Sequence, residues 1–124
     1  MHSPPDSDDL RGVDPEHAES IRAAVSDRAR IARAAEVVHA LADPTRLTIA
    51  ATLLQGQRLC VGDVAWIVGK RQNLVSHHLR LLKNAGLATS RRDGRLQMFE
   101  LSERGRLLVV AALALPTPRR RPPW

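Results

Sequence analysis

Three glycines, Gly56, Gly69 and Gly86, cut the middle of the chain into two stretches that are too short for long helices and too apolar for loops. The first, CVGDVAWIV, runs from Cys60 to Val68 and stops at Gly69, a residue that closes helices in the left-handed conformation without steric cost. The second, QNLVSHHLRLLKNA, has helical periodicity and is closed by Gly86. Two short helices joined by Gly69-Lys70-Arg71 have the length and turn of a helix-turn-helix. Laid out at 100° per residue, the second helix turns Leu74, Val75, His78, Leu79, Leu81, Leu82 and Ala85 inward. Gln72, Asn73, Ser76, His77, Arg80, Lys83 and Asn84 form its polar side.

The flanks extend the pattern. Asp43-Pro44 is a helix start, since Asp accepts from the first free amides and Pro suits the first helical position, and the helix it opens ends at Gly56. Asp14-Pro15 repeats the signal, and apolar residues at helical spacing follow from Ala18 to Leu41, as one helix or as two with a break near Ser26-Asp27. Asp93-Gly94 between LATSRR and RLQMFEL predicts a two-residue hairpin turn. Ser102 caps a last helix through LLVVAALAL, stopped by Pro116 and apolar almost all round. Such a helix needs a partner on both sides, and a second copy of the chain is the simplest supplier. The expected fold is mostly α with a small β-hairpin, a winged helix-turn-helix that dimerises through its first and last helices. It spans residues 14–115, between a disordered acidic arm at 1–13 and a disordered tail at 116–124.

The charge is unevenly spread. Residues 1–20 carry six acids against Arg11 alone, whereas residues 70–106 carry nine Lys and Arg against three acids. A basic middle points to a polyanion, and the helix-turn-helix narrows this to double-stranded DNA. Gln and Asn can pair bidentately with adenine, and Ser can serve a base edge or a phosphate. Residues near the start of the second helix reach base edges in this motif. Gln72, Asn73, Ser76 and His77 are therefore expected in the major groove. Lys70, Arg71, Arg80 and Lys83 are expected on phosphates, together with Arg91, Arg92 and Arg95 of the hairpin. Adjacent histidines diverge by about 100°, so His77 and His78 cannot chelate one ion together. His77 faces out, and His78 sits at the stripe's edge, where a backbone or side-chain partner would satisfy it.

Cys60 is the only cysteine, which excludes an intramolecular disulfide and fits a reducing cytoplasm. No apolar run approaches the ~20 residues needed to cross a bilayer, and the acidic first residues are unlike a secretory signal. No Ser/His/Asp or Cys/His arrangement, phosphate loop or carboxylate pair with catalytic spacing stands out, so an enzyme is not expected.

ALADPTR, LCVGD and VSHHLR, in this order and followed by the hairpin, resemble the ArsR/SmtB family of bacterial metal-responsive repressors. The resemblance covers about residues 30–115. It implies a homodimeric winged helix repressor that binds a palindromic operator and leaves it when a metal ion accumulates. It places the DNA contacts on Gln72, Asn73, Ser76 and His77. A metal site between last helices has no histidine in LSERGRLLVVAALAL and keeps only Glu103, so it is expected to be absent. The other family site joins Cys60 and Asp63 of LCVGD to the N-terminal arm of the opposite subunit, where the usual cysteines are missing and His17 remains. One thiolate, an imidazole and carboxylates suit Zn, Co or Ni, with Cd also among the candidates; a site of several thiolates is excluded. Cys60 also reads as a small buried apolar residue, and His39 as packing in a helical stripe. The alternatives are the same regulator with another input, such as Cys60 oxidation, or with none, and a basic adaptor for an acidic protein.

Overall fold

A computed structural model of the chain describes residues 9–114. The expected tail at 116–124 and residues 1–8 of the expected arm lie outside the described residues; residues 9–13 of the arm are exposed. The chain divides into two compact units, one up to Ala35 and one from Glu36 onward.

In the first unit, helix α1 spans Pro15–Ala24, and Asp14 caps it by accepting from the His17 amide at 3.0 Å. Of the two sequence alternatives, the structure has two helices. The chain breaks after Val25, the Asp27 carboxylate accepts from the Arg30 amide at 3.0 Å, and α2 runs Arg28–His39. His39, expected in a packed stripe, is exposed. No neighbour within the second unit encloses the ring.

In the second unit, Asp43 accepts from the Arg46 amide at 2.8 Å and opens α3, Pro44–Gly56. Then come β1 (Leu59–Cys60), α4 (Val61–Val68), α5 (Gln72–Asn84), β2 (Ala88–Asp93), β3 (Leu96–Leu101) and α6 (Glu103–Leu113). Gly69 ends α4 in the left-handed region at φ 67°, as expected of it. The sheet has three antiparallel strands in the order β1-β3-β2, where the sequence suggested a two-stranded hairpin. The extra strand pairs Leu59 with Phe99 and Cys60 with Met98. The hairpin loop also shifts by one residue. Asp93 pairs with Leu96, so the loop is Gly94-Arg95, and only Gly94 has positive φ. A glycine in the first loop position is the pattern of a type II′ turn, not of the Asp-Gly type I′ turn expected.

The core of this unit is aliphatic. Ile49, Leu53, Val64, Val75, Leu79, Leu82, Leu87 and Val109 are fully buried, and Phe99 is nearly so. Each such side chain stabilises the fold by roughly 1.5–3 kcal/mol. Helix α6 is seated by Ser102, whose amide donates to the Leu87 carbonyl and whose hydroxyl donates to the Gly86 carbonyl. Val109 points into the core, while Leu107, Val110 and Leu113 are exposed.

Candidate nucleic-acid interface

Helix α5 is the centre of the site because one side of it is fixed and the other is free. Val75, His78, Leu79 and Leu82 are buried. Gln72, Asn73, His77, Arg80 and Lys83 are exposed, and Ser76 is half-buried. Leu74, grouped with the inward residues by periodicity, is 41% exposed because it lies in the first turn, where the stripe leaves the core. Lys70 and Arg71, in the turn before α5, are exposed. Arg71 occupies the N-cap and supplies no side-chain cap, while Asn73 Oδ1 accepts from the Leu74 amide at 3.0 Å. A helix N-terminus of this kind is one of the groups that grip phosphates.

Beneath this face, His78 is held by α3. The Arg46 guanidinium lies 3.2 Å from His78 Nδ1, and its Nε donates to the Ala40 carbonyl. A guanidinium only donates, so Nδ1 accepts and the ring proton sits on Nε2. Burial pushes the His78 pKa down, partly opposed by the nearby Asp43 carboxylate, and the Arg46 charge pushes it further down. The Asp43 carboxyl is itself held below its ordinary value, chiefly by the Arg46 amide it accepts from. His78 is thus the partnered boundary histidine that the sequence suggested. The His77 ring stands 5.6 Å from it, tilted by 58° and facing outward.

Besides core packing at its base, the hairpin is tied to α5 through the Ser90 hydroxyl. Ser90 Oγ accepts from Lys83 Nζ at 2.7 Å and from Gln97 Nε2 at 3.0 Å. Alternation along β2 puts Ser90 and Arg92 on one face of the ribbon and Arg91 on the other. Arg91 pairs in register with Met98, which in turn pairs with Cys60, and Arg92 pairs with Gln97. The wing arginines, grouped by sequence, therefore occupy both faces and the loop, though all three are exposed. On the Arg91 face, Arg58 and Glu100 form an ion pair at 3.6 Å beside a shallow depression.

Arg46, Ser90 and Gln97 went unassigned in the sequence because nothing local marks them; their partners are 32 residues away for Arg46 and seven for the other two. Trp66, on α4 beside exposed Ile67, is 84% exposed and makes no part of the core.

Cys60 is half-buried at the junction of β1 and α4, where it is the N-cap residue without a side-chain cap bond, and Asp63 is exposed in the first turn of α4. His17 belongs to the first unit and is exposed. Among the described residues, no group of three or more His, Cys, Asp and Glu side chains could hold a metal ion. Nor is any helix among them long and apolar enough to cross a membrane.

The family described as bacterial regulatory protein, arsR family, matches residues 43–90, which run from the cap of α3 to Ser90. A relative from Methanocaldococcus jannaschii, an uncharacterized HTH-type transcriptional regulator, is 40% identical over 62 residues, which is 50% of this chain and 70% of that protein. The chain belongs to the ArsR family. A cadmium resistance transcriptional regulatory protein CadC homolog from Staphylococcus aureus is 46% identical over 69 residues, 56% of this chain and 57% of that protein. The match to this ArsR relative thus spans little more than half of its length. Among solved structures, the homodimeric winged helix-turn-helix DNA-binding domain of a possible ArsR-family regulator from Mycobacterium bovis is similar with a TM-score of 0.64 and 28% identity. That similarity covers 84% of this chain and 87% of the domain. The ArsR chain described here is a winged helix-turn-helix, with α4 and α5 as the motif and β2 and β3 as the wing.

Proposed function

We propose that this ArsR-family chain is a cytoplasmic transcriptional repressor that binds a palindromic DNA operator as a symmetric dimer. The observation that carries the reading is α5, locked on one side into the core and onto Arg46 while Gln72, Asn73 and His77 are exposed on the other. Gln72, Asn73, Ser76 and His77 read bases in the major groove. Lys70, Arg71, Arg80 and Lys83 hold phosphates on either side, and Arg91, Arg92 and Arg95 extend the grip through the wing. The dimer is supported by the apolar side chains that the chain leaves exposed on α6 and, in the first unit, at Ile21, Val25 and Ile31.

The test is retardation of a duplex from upstream of the chain's own gene, beside a scrambled duplex of equal length. A preference for the upstream duplex is expected, and Gln72→Ala or Asn73→Ala should cost on the order of 1–3 kcal/mol at one base pair only. Equal affinity for both duplexes overturns the reading.

For the effector, the donors fit a divalent ion by type but not by number. Cys60 and Asp63 offer one thiolate and one carboxylate, whereas zinc takes four ligands, or three and a water. We infer a Zn, Cd, Co or Ni input only as completed in the dimer, by Cys60, Asp63 and His17 of the partner subunit. Stoichiometric binding of the metal alone by the full-length dimer, lost in Cys60→Ala, is the expected result. No binding at all would leave oxidation of Cys60, or no effector, as the input.

A further inference from the structure

We infer that Ser90 is the positioning residue that sets the wing against the reading helix, so that both engage one duplex together. The inference rests on the DNA-binding reading above and adds to it the part that couples its two halves.

A serine hydroxyl has two acceptor sites, and here both are used. One takes Lys83 Nζ at 2.7 Å, from the last turn of α5, and the other takes Gln97 Nε2 at 3.0 Å, from β3. Ser90 itself stands on β2, so one oxygen atom links three elements. The bond to Gln97 is a diagonal one, because the register partner of Ser90 is Phe99 and that of Gln97 is Arg92. The Gln97 side chain therefore crosses the ribbon on the face that carries Arg92. Below this point the hairpin has core contacts to hold it, through Ala88, Phe99 and Leu101. Beyond Ser90, residues 91–97 are all exposed, and among the described residues no other side-chain hydrogen bond reaches them from α5. A two-stranded ribbon with no anchor of its own is marginal in water. Ser90 stands where buried hairpin gives way to free wing, and the orientation of Arg92 and Arg95 toward a duplex is set from there.

The same bond acts on Lys83. An ammonium has three donors, and Ser90 takes one. Lys83 keeps its charge and two donors for a phosphate while its long side chain is held in one place. Removing the hydroxyl should therefore loosen both a helix contact and the wing contacts, without touching the base-reading residues Gln72, Asn73 and His77.

Duplex binding by the full-length chain as a function of salt tests this, using a random-sequence duplex, since phosphate contacts do not depend on sequence. Ser90→Ala is expected to weaken binding about tenfold at low salt. Its slope of log affinity against log salt should be shallower by about one for each phosphate that the loosened side chains no longer neutralise. Ser90→Thr keeps the hydroxyl in a residue suited to strands and should restore both. A thermal melt of Ser90→Ala that matches the wild type separates positioning from unfolding. Should Ser90→Ala melt early, Gln97→Leu, which cuts the cross-ribbon bond and leaves the Lys83 bond in place, should make the slope shallower by a smaller amount. If variants with native melts bind with wild-type affinity and slope, the inference is wrong while the DNA-binding reading stands. If the wild-type chain itself retains no duplex, the reading fails first.

Discussion

At the scale of single residues, His78 and Arg46 show how a charged partner and a buried ring are reconciled. The imidazole is buried, and its one buried acceptor meets a guanidinium that cannot give up its proton. Protonating Nδ1 would place two cations 3.2 Å apart and cost the hydrogen bond. The His78 pKa in the folded chain therefore lies below the ordinary 6.5. In the unfolded chain the ring takes up a proton near 6.5, so from that pH downward the unfolded state binds more protons and stability falls. Stability is complete above about 6.5, the value of the free ring. Denaturant midpoints should therefore drop between pH 8 and pH 5.5, and His78→Gln should flatten the drop. An equal drop in both proteins would assign the effect to other groups. Asp43 adds a second, more acidic step: its pKa is depressed, so the stability it contributes is lost as pH falls below 3.8. The sequence carried part of this. The heptad-like spacing of α5 put His78 at the edge of the stripe, but its partner is on another helix and no local rule selects Arg46.

At the scale of elements, local signals were sufficient where the physics is local. Asp14, Asp43 and Ser102 each accept an amide of the helix they begin, and Gly69 closes α4 with positive φ. What failed was long-range. Leu59 and Cys60 have no strand pattern of their own and become β1 only because Phe99 and Met98 lie opposite. The hairpin loop moved to Gly94-Arg95 because Asp93 is claimed by the ladder through its pairing with Leu96. Likewise Ser90 reads as one polar residue among many until α5 is brought beside the wing. Gly105 is a further case in which sequence gives no warning. A methyl on it would strike the backbone carbonyl of Leu87, the group that also accepts the Ser102 amide. Neither backbone can yield without unseating α6. Gly105→Ala should therefore destabilise by about 1–3 kcal/mol or more, although alanine is the better helix former. The opposite outcome, a gain of the size expected from helix propensity alone, would mean that α6 does not dock on the Leu87 backbone. Thermal or denaturant unfolding decides between them.

At the scale of the whole molecule, what remains is apolar surface that one chain does not cover. Leu107, Val110 and Leu113 recur at three-residue spacing on α6 and are each half-exposed or more, on a helix whose other side carries Val109 into the core. Isolated exposed leucines need no explanation, but a row of three on one helix face does. The sequence made this visible, since LLVVAALAL is too apolar to face water on any side. In the dimer proposed above, a second copy would supply the cover and, by two-fold symmetry, a second α5. Half-sites of a helix-turn-helix dimer lie about one turn of DNA apart, so a palindrome is read only by the pair. Replacing Leu107 and Val110 with Asp leaves Val109 and the core untouched and should convert the dimer to monomer in sedimentation at micromolar concentration. The same variant should lose far more affinity for the whole palindrome than for a half-site, because the second α5 is no longer delivered with the first. A fall in affinity in equal proportion on both duplexes would mean that α6 supports the fold and not the pairing. A variant that stays dimeric would move the interface elsewhere on the chain.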